Sequence, residues 1–344
     1  MLAPTAITPP LWSAPSRYLD LIGSPWGRTL VTLQDAVSYA TAVFWAGRRV
    51  PTLHLPVTTG AVSSPMGLGS DSGPVEVAMF GKSVYLADSM QFALEYGCRL
   101  SGRGCYYLMP SFRGEDPDES HLCQFFHSEA ELPGSLDTVM ATVEDYLRHL
   151  AQHLLTTCAD TVRTVAGTAV HLEDVAAGAG PFERMPFAEA DRLLKSDPEL
   201  IRTGTGAGGR TWRTLTRAAE QRLLALCGRP VWVTHYDHLA VPFYQAYADD
   251  DRRTALNADL LLGVGEVAGA GERHATAEAV REALADHQVG QEPYGWYIDM
   301  RERRLLRTSG FGMGVERLLL WVLNHDDIRD LQILVRRNGL DCTP

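Results

Sequence analysis

The spacing of apolar and polar residues predicts an alternation of helices and strands along the chain. Apolar side chains recur with helical period from 33 to 49, and Pro51 then forces an extended segment. Short apolar runs bounded by glycine, proline and polar turns predict strands further on. Strands are predicted at 75–80, 83–87, 105–112, 122–131, 230–236 and, as an antiparallel pair, 256–262 with 264–268; further helices are predicted at 136–159 and 162–175.

Two segments fall outside this pattern. Residues 1–30 contain four prolines among short apolar pieces, which predicts an extended N-terminal arm or an irregular lead-in. Residues 204–209 match the GxGxxG spacing of dinucleotide-binding proteins, but they follow Asp-Pro-Glu and not an apolar strand. We therefore expect a flexible loop over 197–211 and no dinucleotide site there.

Composition narrows the class of protein. With 344 residues, of which 45% are hydrophobic, the chain can bury a large core. A net charge of -11 argues against a broad basic surface for nucleic acid. No apolar run approaches the roughly 20 residues that span a bilayer, so we expect a cytoplasmic protein with no membrane partner. The six cysteines show no CxxC pair, which predicts reduced thiols.

The C-terminal run from 309 to 321 changes period in its middle. Gly310, Gly312 and Gly314 alternate, which predicts a strand that a ligand or a facing backbone approaches closely. Helical spacing follows directly and places Arg317 in the first turn of a helix. An arginine held there, beside a bare strand, suits a cation lying over an aromatic ring. A glycine-rich turn with a solvated arginine fits the same spacing, and this alternative stays open.

Two further segments carry candidate chemistry. Residues 105–131 predict two strands joined by a polar turn that begins at Arg113. Taken alone, this segment is typical of a hairpin with a charged tip and with Phe125 in the core. Residues 88–95 predict a capped helix whose first turn offers the Gln91 amide, which is useful for holding a zwitterionic amino acid. A surface glutamine on an ordinary helix is the alternative.

These segments together resemble the signature motifs of a known family. Phe112-Arg113-x-Glu115 through Phe125 is similar to the second motif of class II aminoacyl-tRNA synthetases, in the asparaginyl and aspartyl subgroup. The run through Arg317 is similar to the third motif. The resemblance implies an α+β fold, an antiparallel β-sheet flanked by helices, in a catalytic domain at 31–344 preceded by the arm.

The same resemblance bears on assembly. Helix followed by strand after residue 33 is the layout of the family's first motif, which usually builds the dimer interface, so we expect a homodimer. Full-length asparaginyl and aspartyl enzymes carry an N-terminal β-barrel for the tRNA anticodon, which needs on the order of 100 residues. We expect no such barrel, because the arm leaves no room for it.

The resemblance also assigns roles to individual residues. Arg113 and Arg317 are expected to be catalytic: Arg113 would stabilise the charge that builds on the α-phosphate of ATP. Arg317 would lie over the adenine ring opposite Phe125. Two carboxylates that converge on the triphosphate suit Mg²⁺. Further ATP contacts are implied at Glu115, His121, Glu266 and Gly314, substrate contacts at Gln91, Glu129, Arg273 and Gly310, and Mg²⁺ ligands at Glu266 and Asp259.

Five positions depart from the family pattern, and two of them lie in the second motif, where Ser120 replaces a frequent arginine and Gln124 the usual glutamate before the phenylalanine. Leu94 replaces the lysine that aspartyl enzymes use for the substrate's side-chain carboxylate. Gly73 stands where the family carries a glutamate for the α-ammonium group, and Gly271 replaces a frequent serine metal ligand. The amino-acid pocket is therefore expected to be altered on at least one side.

The resemblance and the departures lead to a functional expectation. We expect an ATP-dependent ligase that adenylates an aspartate-like or asparagine-like amino acid and transfers the acyl group to a non-tRNA nucleophile, such as ammonia or a small amine. One alternative is an asparaginyl-type tRNA ligase that works without its own anticodon domain. The other is a catalytically weakened regulator that binds ATP or an amino acid. Under the first hypothesis the partners are ATP and the amino acid, and tRNA is not expected.

Overall fold

The computed structural model describes residues 7–63, 73–79, 81–178 and 180–337. The first six residues of the predicted arm and the last seven of the predicted domain lie outside the described residues. The predicted α+β class is confirmed, with a seven-stranded sheet, a three-stranded sheet and a hairpin. The strands are β1 Thr58–Thr59, β2 Val75–Met79, β3 Lys82–Leu86, β4 Cys105–Phe112, β5 Gln124–Pro133, β6 Glu183–Pro186, β7 Ile201–Thr205, β8 Thr211–Leu215, β9 Val231–Thr234, β10 Asn257–Leu262, β11 Gly265–Glu272 and β12 Thr308–Gly314.

Helices surround the large sheet. They are α1 Arg17–Asp20, α2 Pro25–Gly47, α3 Gln91–Ser101, α4 Leu136–Thr157, α5 Ala159–Ala166, α6 Val170–Ala177, α7 Phe187–Leu193, α8 Arg217–Cys227, α9 Ala277–Asp286, α10 Gly295–Arg303 and α11 Val315–Leu323. Short 3-10 turns occur at Ala207–Gly209, His238–Ala240, Glu292–Tyr294 and Ile328–Leu331. None of the described helices combines the length and the apolar character that crossing a bilayer requires.

The large sheet has the strand order β4-β5-β12-β11-β10-β9-β6. All neighbouring strands are antiparallel except β6 and β9, which pair in parallel at one edge. The centre of the sheet joins distant parts of the chain, because β12 lies between β5 and β11. This pairing places Gly312 opposite Glu129 and Gly310 opposite Glu131.

The two faces of the sheet have different environments. On β12, Phe311 and Met313 are buried in the main core, whereas the alternating glycines point to the other face. Helices α2, α4 and α11 cover the core face, where Trp45 stacks on Phe311 with ring centroids 6.2 Å apart. The period of two along β12 therefore separates a packed face from a face that is bare of side chains.

The N-terminal segment differs from the predicted extended arm. Helix α2 begins at Pro25, eight residues before the predicted start. Proline is well suited to a first helical turn because it has no N–H to leave unpaired, and Ser24 caps the helix by accepting from Gly27 N at 2.8 Å. Arg17, in α1, is buried and donates to Asp330 O at 2.9 Å. The prediction of extended or irregular chain up to residue 30 was therefore wrong at α1 and from Pro25 onward.

Two other local predictions are corrected. The helix predicted at 162–175 is two helices, α5 and α6, because Gly167 adopts a left-handed conformation with φ +74° and ends the first. The segment 197–211 contains the β7–β8 hairpin, with Gly208 and Gly209 at positive φ in its turn. The mobility predicted for this segment stays a prediction.

A buried ion pair provides a test of the fold. Arg301 Nη2 lies 2.6 Å from Glu95 Oε2, and neither side chain is exposed. Arg301→Ala leaves the buried Glu95 with only a weaker ion pair, because Arg99 Nη1 lies 3.9 Å from Glu95 Oε2. We therefore expect the free energy of unfolding to fall by about 3 kcal/mol, at the lower end of the range for a broken buried pair. Arg281→Ala is the control, because its pair with Glu302 is half-exposed and is expected to contribute about 1 kcal/mol or less. Urea denaturation that gave equal losses for both variants would contradict this assignment.

Candidate active site

A cavity of about 390 Å³ opens on the bare face of the large sheet. Side chains from β5, β10, β11, α3 and α11 converge on it, and Gly312 and Gly314 of β12 form part of its floor. Ten of the twelve residues predicted for the site line this cavity: Gln91, Arg113, His121, Phe125, Glu129, Asp259, Glu266, Arg273, Gly314 and Arg317. Glu115 and Gly310 lie outside its lining.

Phe125 and Arg317 stand at one end of the cavity. Arg317 lies in the first turn of α11 and donates from Nη1 to Glu266 O at 2.9 Å, which fixes the guanidinium. Phe125 lies on β5, and its ring packs edge-on against His127 with centroids 4.7 Å apart. The two elements are tied together because Phe126 N donates to Glu316 Oε2 at 3.0 Å. Burial raises the pKa of Glu316 to about 7.

Arg113 extends from the end of β4 toward the same end. Its guanidinium carbon lies 5.3 Å from the centroid of the Phe125 ring. Arg113 Nε is buried without a hydrogen-bond partner among the described residues. Glu115 accepts from Gly73 N at 3.1 Å through Oε1, while its other oxygen has no partner in the described chain. A buried donor without a protein partner is costly, so Arg113 is set up to meet an anionic ligand.

His121 lies in the turn between β4 and β5, held by its neighbours. Its Nδ1 atom lies 2.8 Å from Ser120 Oγ and 3.2 Å from Asp118 Oδ1. Burial and the nearby charge of Arg317 lower the pKa of His121. The single N–H of the neutral ring lies on Nδ1, because the ionised Asp118 carboxylate can only accept and the Ser120 hydroxyl already donates to it at 2.8 Å. Nε2 then carries a lone pair, so the ring would donate to an anionic ligand from Nε2 only after taking up a proton.

Three carboxylates gather at the edge of the cavity. Asp259 on β10 faces Gly269 on β11, and Glu220 on α8 accepts from Glu266 N at 2.9 Å. Burial and the neighbouring charge of Glu266 raise the pKa of Glu220 to about 7 and that of Asp259 well above its usual value. Like charges this close favour a bound cation. Within the described residues, however, no three His, Cys, Asp or Glu side chains form a complete metal cage.

Glu129 marks the other end of the cavity. Ser89 Oγ donates to its Oε2 at 2.6 Å, Tyr107 OH donates to the same oxygen, and His127 Nδ1 lies 3.0 Å from Oε1. Burial opposes ionisation, but His127 and these hydrogen bonds hold the pKa of Glu129 below its usual value. Glu129 therefore carries a negative charge in this part of the cavity.

Arg273 lies next to this carboxylate and is bound by Glu131. Arg273 Nη2 lies 3.1 Å from Glu131 Oε2, and both side chains are buried. Glu131 faces Gly310, where a Cβ would overlap the carboxylate and lie 2.8 Å from Arg273 Nη2. Glycine is therefore required at position 310, because the Arg273–Glu131 ion pair occupies the space that a side chain would take. Gln91 adds a buried Nε2 group with no partner among the described residues.

Sequence reasoning missed several residues of the site. Glu131 lies two positions after Glu129 on β5. The period of two along a strand puts both side chains on the same face, and this signal could have identified Glu131. Glu220 comes from a helix far from Asp259 in sequence, and Gln245 follows Tyr244 in an irregular segment. Glu220 and Gln245 belong to no hydrophobic or polar period that points to the site, so only the tertiary structure reveals them.

The fold and the site define a class of protein. An antiparallel sheet that carries one arginine at a strand end and another in the first turn of the following helix, both on one cavity, is the catalytic core of a class II aminoacyl-tRNA synthetase. The chain belongs to the family of class II tRNA synthetases for D, K and N, whose model matches residues 14–338.

Relatives and solved structures agree with this membership. The chain is 30% identical over 337 residues to the asparagine–tRNA ligase of Syntrophobacter fumaroxidans, covering 89% of this chain and 69% of that protein. It is 28% identical to the asparagine–tRNA ligase of Koribacter versatilis, covering 80% of this chain and 62% of that protein. The asparaginyl-tRNA synthetase of Pyrococcus horikoshii, solved with asparaginyl-adenylate, shares the fold with a TM-score of 0.82 at 24% identity, over 95% of this chain and 73% of that one.

One functional expectation is overturned by these comparisons. We expected the acyl group to pass to a non-tRNA nucleophile such as ammonia or a small amine. The curated relatives are named asparagine–tRNA ligases, and nothing in the comparisons supports a different acceptor. That expectation was wrong, because it depended on the expected lack of an anticodon barrel, on acidity and on an altered amino-acid loop, none of which determines the acceptor.

The carboxylate cluster leads to a prediction for stability against pH. Folded Glu220 keeps its proton up to about pH 7, whereas the unfolded chain releases it near 4.5. The unfolded state therefore binds fewer protons in this window, and the free energy of unfolding falls as the pH rises through it. Glu220→Gln removes this contribution, so we expect a less negative slope between pH 4.5 and 7 in urea denaturation.

Glu278→Gln is the matched control for this measurement. Glu278 is exposed in the first turn of α9, so its replacement removes a carboxylate without changing the cluster. A change of slope in Glu220→Gln no larger than that in Glu278→Gln would contradict the raised pKa of Glu220.

Proposed function

We propose that this chain activates an asparagine-like or aspartate-like amino acid with ATP and transfers the aminoacyl group to tRNA. The observation that carries the proposal is the convergence of Arg113, Phe125 and Arg317 on one cavity, beside a second set of polar groups around Glu129 and Arg273. The first set suits a nucleotide and the second an amino acid. The asparagine–tRNA ligases among the relatives support tRNA as the acceptor.

The first step joins the amino acid to AMP. A carboxylate oxygen of the amino acid attacks the α-phosphorus of ATP, the bond to the β-phosphate breaks, and pyrophosphate leaves. Negative charge grows on the α-phosphate oxygens during this attack. The Arg113 guanidinium, whose Nε has no partner among the described residues, would stabilise that charge more in the transition state than in the ground state.

The adenine ring would lie between Phe125 and Arg317. Phe125 offers a ring face and Arg317 a planar cation held by Glu266 O, so a flat aromatic ligand gains stacking on both sides. Glu115 would accept from the adenine amine through the oxygen that has no partner in the described chain. His121 would reach the γ-phosphate, and Gly314 would leave room for the ring.

Asp259 and Glu266 would hold Mg²⁺ on the triphosphate side of the cavity. When bound, the ion supplies positive charge that offsets the phosphate oxygens. The donor set fits, because both groups are carboxylates and the pKa of Asp259 is raised by burial and its acidic neighbours. A bound cation would favour its ionised form.

The second step transfers the aminoacyl group. A ribose hydroxyl at the 3′ end of tRNA attacks the carbonyl carbon of the adenylate, the bond to the phosphate oxygen breaks, and AMP leaves. Gln91, Glu129, Arg273 and the backbone at Gly310 would keep the amino acid in place during both steps. The buried Nε2 of Gln91 would donate to the amino acid.

A homodimer through α2 is part of the proposal. This helix exposes Val31 at 58%, Tyr39 at 61% and Val43 at 42%, which is unusual for apolar side chains on a helix that also has a fully buried face. A second copy of the chain would cover them. We also propose a cytoplasmic location, where tRNA and ATP are present.

Pyrophosphate exchange tests the proposed chemistry. The wild-type chain is expected to exchange pyrophosphate into ATP with asparagine or aspartate, and then to charge total tRNA with the same amino acid. Arg113→Ala is expected to lower the exchange rate by about 10²–10³-fold, because it removes one charge contact of the transition state. Arg317→Ala should lose exchange as well, through loss of the adenine contact.

Arg229→Ala is the control for these variants. Arg229 has a side chain that is 68% exposed and pairs with Glu183 away from the cavity, so exchange is expected to stay at the wild-type rate. Near-normal exchange in Arg113→Ala would contradict its role. Absence of exchange with every amino acid would contradict the proposed reaction and favour a regulator that only binds ligands. Exchange without charging of any tRNA would contradict the proposed acceptor.

A further inference from the structure

Gln245 lies beside Arg273 in the amino-acid end of the cavity. We propose that Gln245 is a specificity-determining residue, whose side-chain Nε2 donates a hydrogen bond to an acceptor oxygen at the end of the substrate's side chain. The inference rests on the proposed function and deepens it, because it names a residue that selects the amino acid. Gln245 is 8% exposed and lines the cavity.

The orientation of the Gln245 amide follows from its partner. Arg273 Nη1 donates to Gln245 Oε1 at 3.1 Å. A guanidinium has no acceptor, so the oxygen of the amide must face Arg273 and the Nε2 group must face away. No described residue accepts a hydrogen bond from Nε2. Two donor hydrogens therefore remain for a ligand.

The backbone of Gln245 is held in place on several sides. Gln245 O accepts from His238 Nε2 at 2.8 Å, and Gln245 N donates to Pro242 O at 3.2 Å. The residue also forms an isolated antiparallel bridge with Arg273. With the backbone held and Oε1 bound by Arg273, the side chain loses little freedom when a ligand binds, which favours selectivity.

Gly271 provides the space for the Gln245 side chain. A Cβ at this position would lie 2.5 Å from Gln245 Cδ and 2.9 Å from Nε2, and would overlap Oε1. The serine that the family often carries here is therefore incompatible with this position of Gln245. The departure noted in the sequence has a structural cause, because the glycine is required for the glutamine to reach the cavity.

The amino-acid end of the cavity is rich in donors. Arg273 has five N–H groups, and Glu131 and Gln245 do not use all of them, which leaves one on each terminal nitrogen. Gln91 Nε2 is buried without a partner in the described chain. The oxygens of Glu129 already accept from three neighbours. These groups fit a side chain that ends in a carboxamide or carboxylate oxygen.

An apolar side chain of the same shape would leave these donors without partners. A site built to hydrogen-bond its substrate can reject an analogue that lacks the polar group by about 10⁴-fold or more. Leucine has the branching of asparagine and aspartate without their polar atoms. It is therefore the informative competitor.

The test is calorimetric titration of asparagine, aspartate and leucine into the full chain without ATP. Wild-type protein is expected to bind the better of the first two at least about 100-fold more tightly than leucine, a threshold set below the full discrimination given above. Gln245→Met, which is close in size and apolar, is expected to reduce this preference at least tenfold, by loss of about one hydrogen bond. Gln152→Met, on the exposed side of α4, is the control and should keep the wild-type preference.

A second variant tests the direction of the side chain. Gln245→Glu keeps an acceptor for Arg273 but turns a negative charge toward the cavity, so the ratio of aspartate to asparagine dissociation constants should rise at least tenfold. Wild-type protein that binds leucine as tightly as the polar amino acids, or Gln245→Met with an unchanged preference, would overturn the inference. Selective binding without pyrophosphate exchange would instead overturn the proposed function and leave the inference in place.

Discussion

The pairing of β5 with β12 is the constraint on which the rest of the site depends. It brings together two segments that are almost 190 positions apart, and the hydrogen bond from Phe126 N to Glu316 fixes them side by side. The register places the glycines of β12 beneath the glutamates of β5. A Cβ at Gly312 would lie 2.9 Å from Glu129 Oε1, and one at Gly310 would overlap Glu131. The floor of the cavity is therefore made of backbone, and the walls are charged side chains from neighbouring strands.

The charges around this floor are divided between the two ends of the cavity. At the end proposed for the nucleotide, Arg113 has a buried N–H that meets no partner in the described part of the chain, while Asp259, Glu220 and Glu266 repel each other. At the amino-acid end, Arg273 and Glu129 are each held by several hydrogen bonds. An anion and a cation together would satisfy the first end, and a zwitterion with a polar side chain would satisfy the second. This division is the physical basis for combining two different ligands in one cavity.

Much of this arrangement could be predicted from the sequence, because strand period and turn chemistry are local. The alternation of Gly310, Gly312 and Gly314 predicted a bare strand face, and the change of period predicted the helix that carries Arg317. The prolines before α2 were misleading, since Pro25 begins a helix and does not interrupt one. Glu220 and Gln245 could not be found, because tertiary packing alone brings Glu220 to Glu266 and Gln245 to the cavity. The acceptor was also beyond such reasoning, since no local pattern near the cavity encodes it.

The most direct test of the account is a crystal structure of the chain with ATP and Mg²⁺. We expect the adenine ring between the Phe125 ring and the Arg317 guanidinium, with the α-phosphate within hydrogen-bond distance of Arg113. A nucleotide bound elsewhere on the molecule, or a cleft that stays closed by the chain's own side chains at saturating ATP, would contradict the central claim.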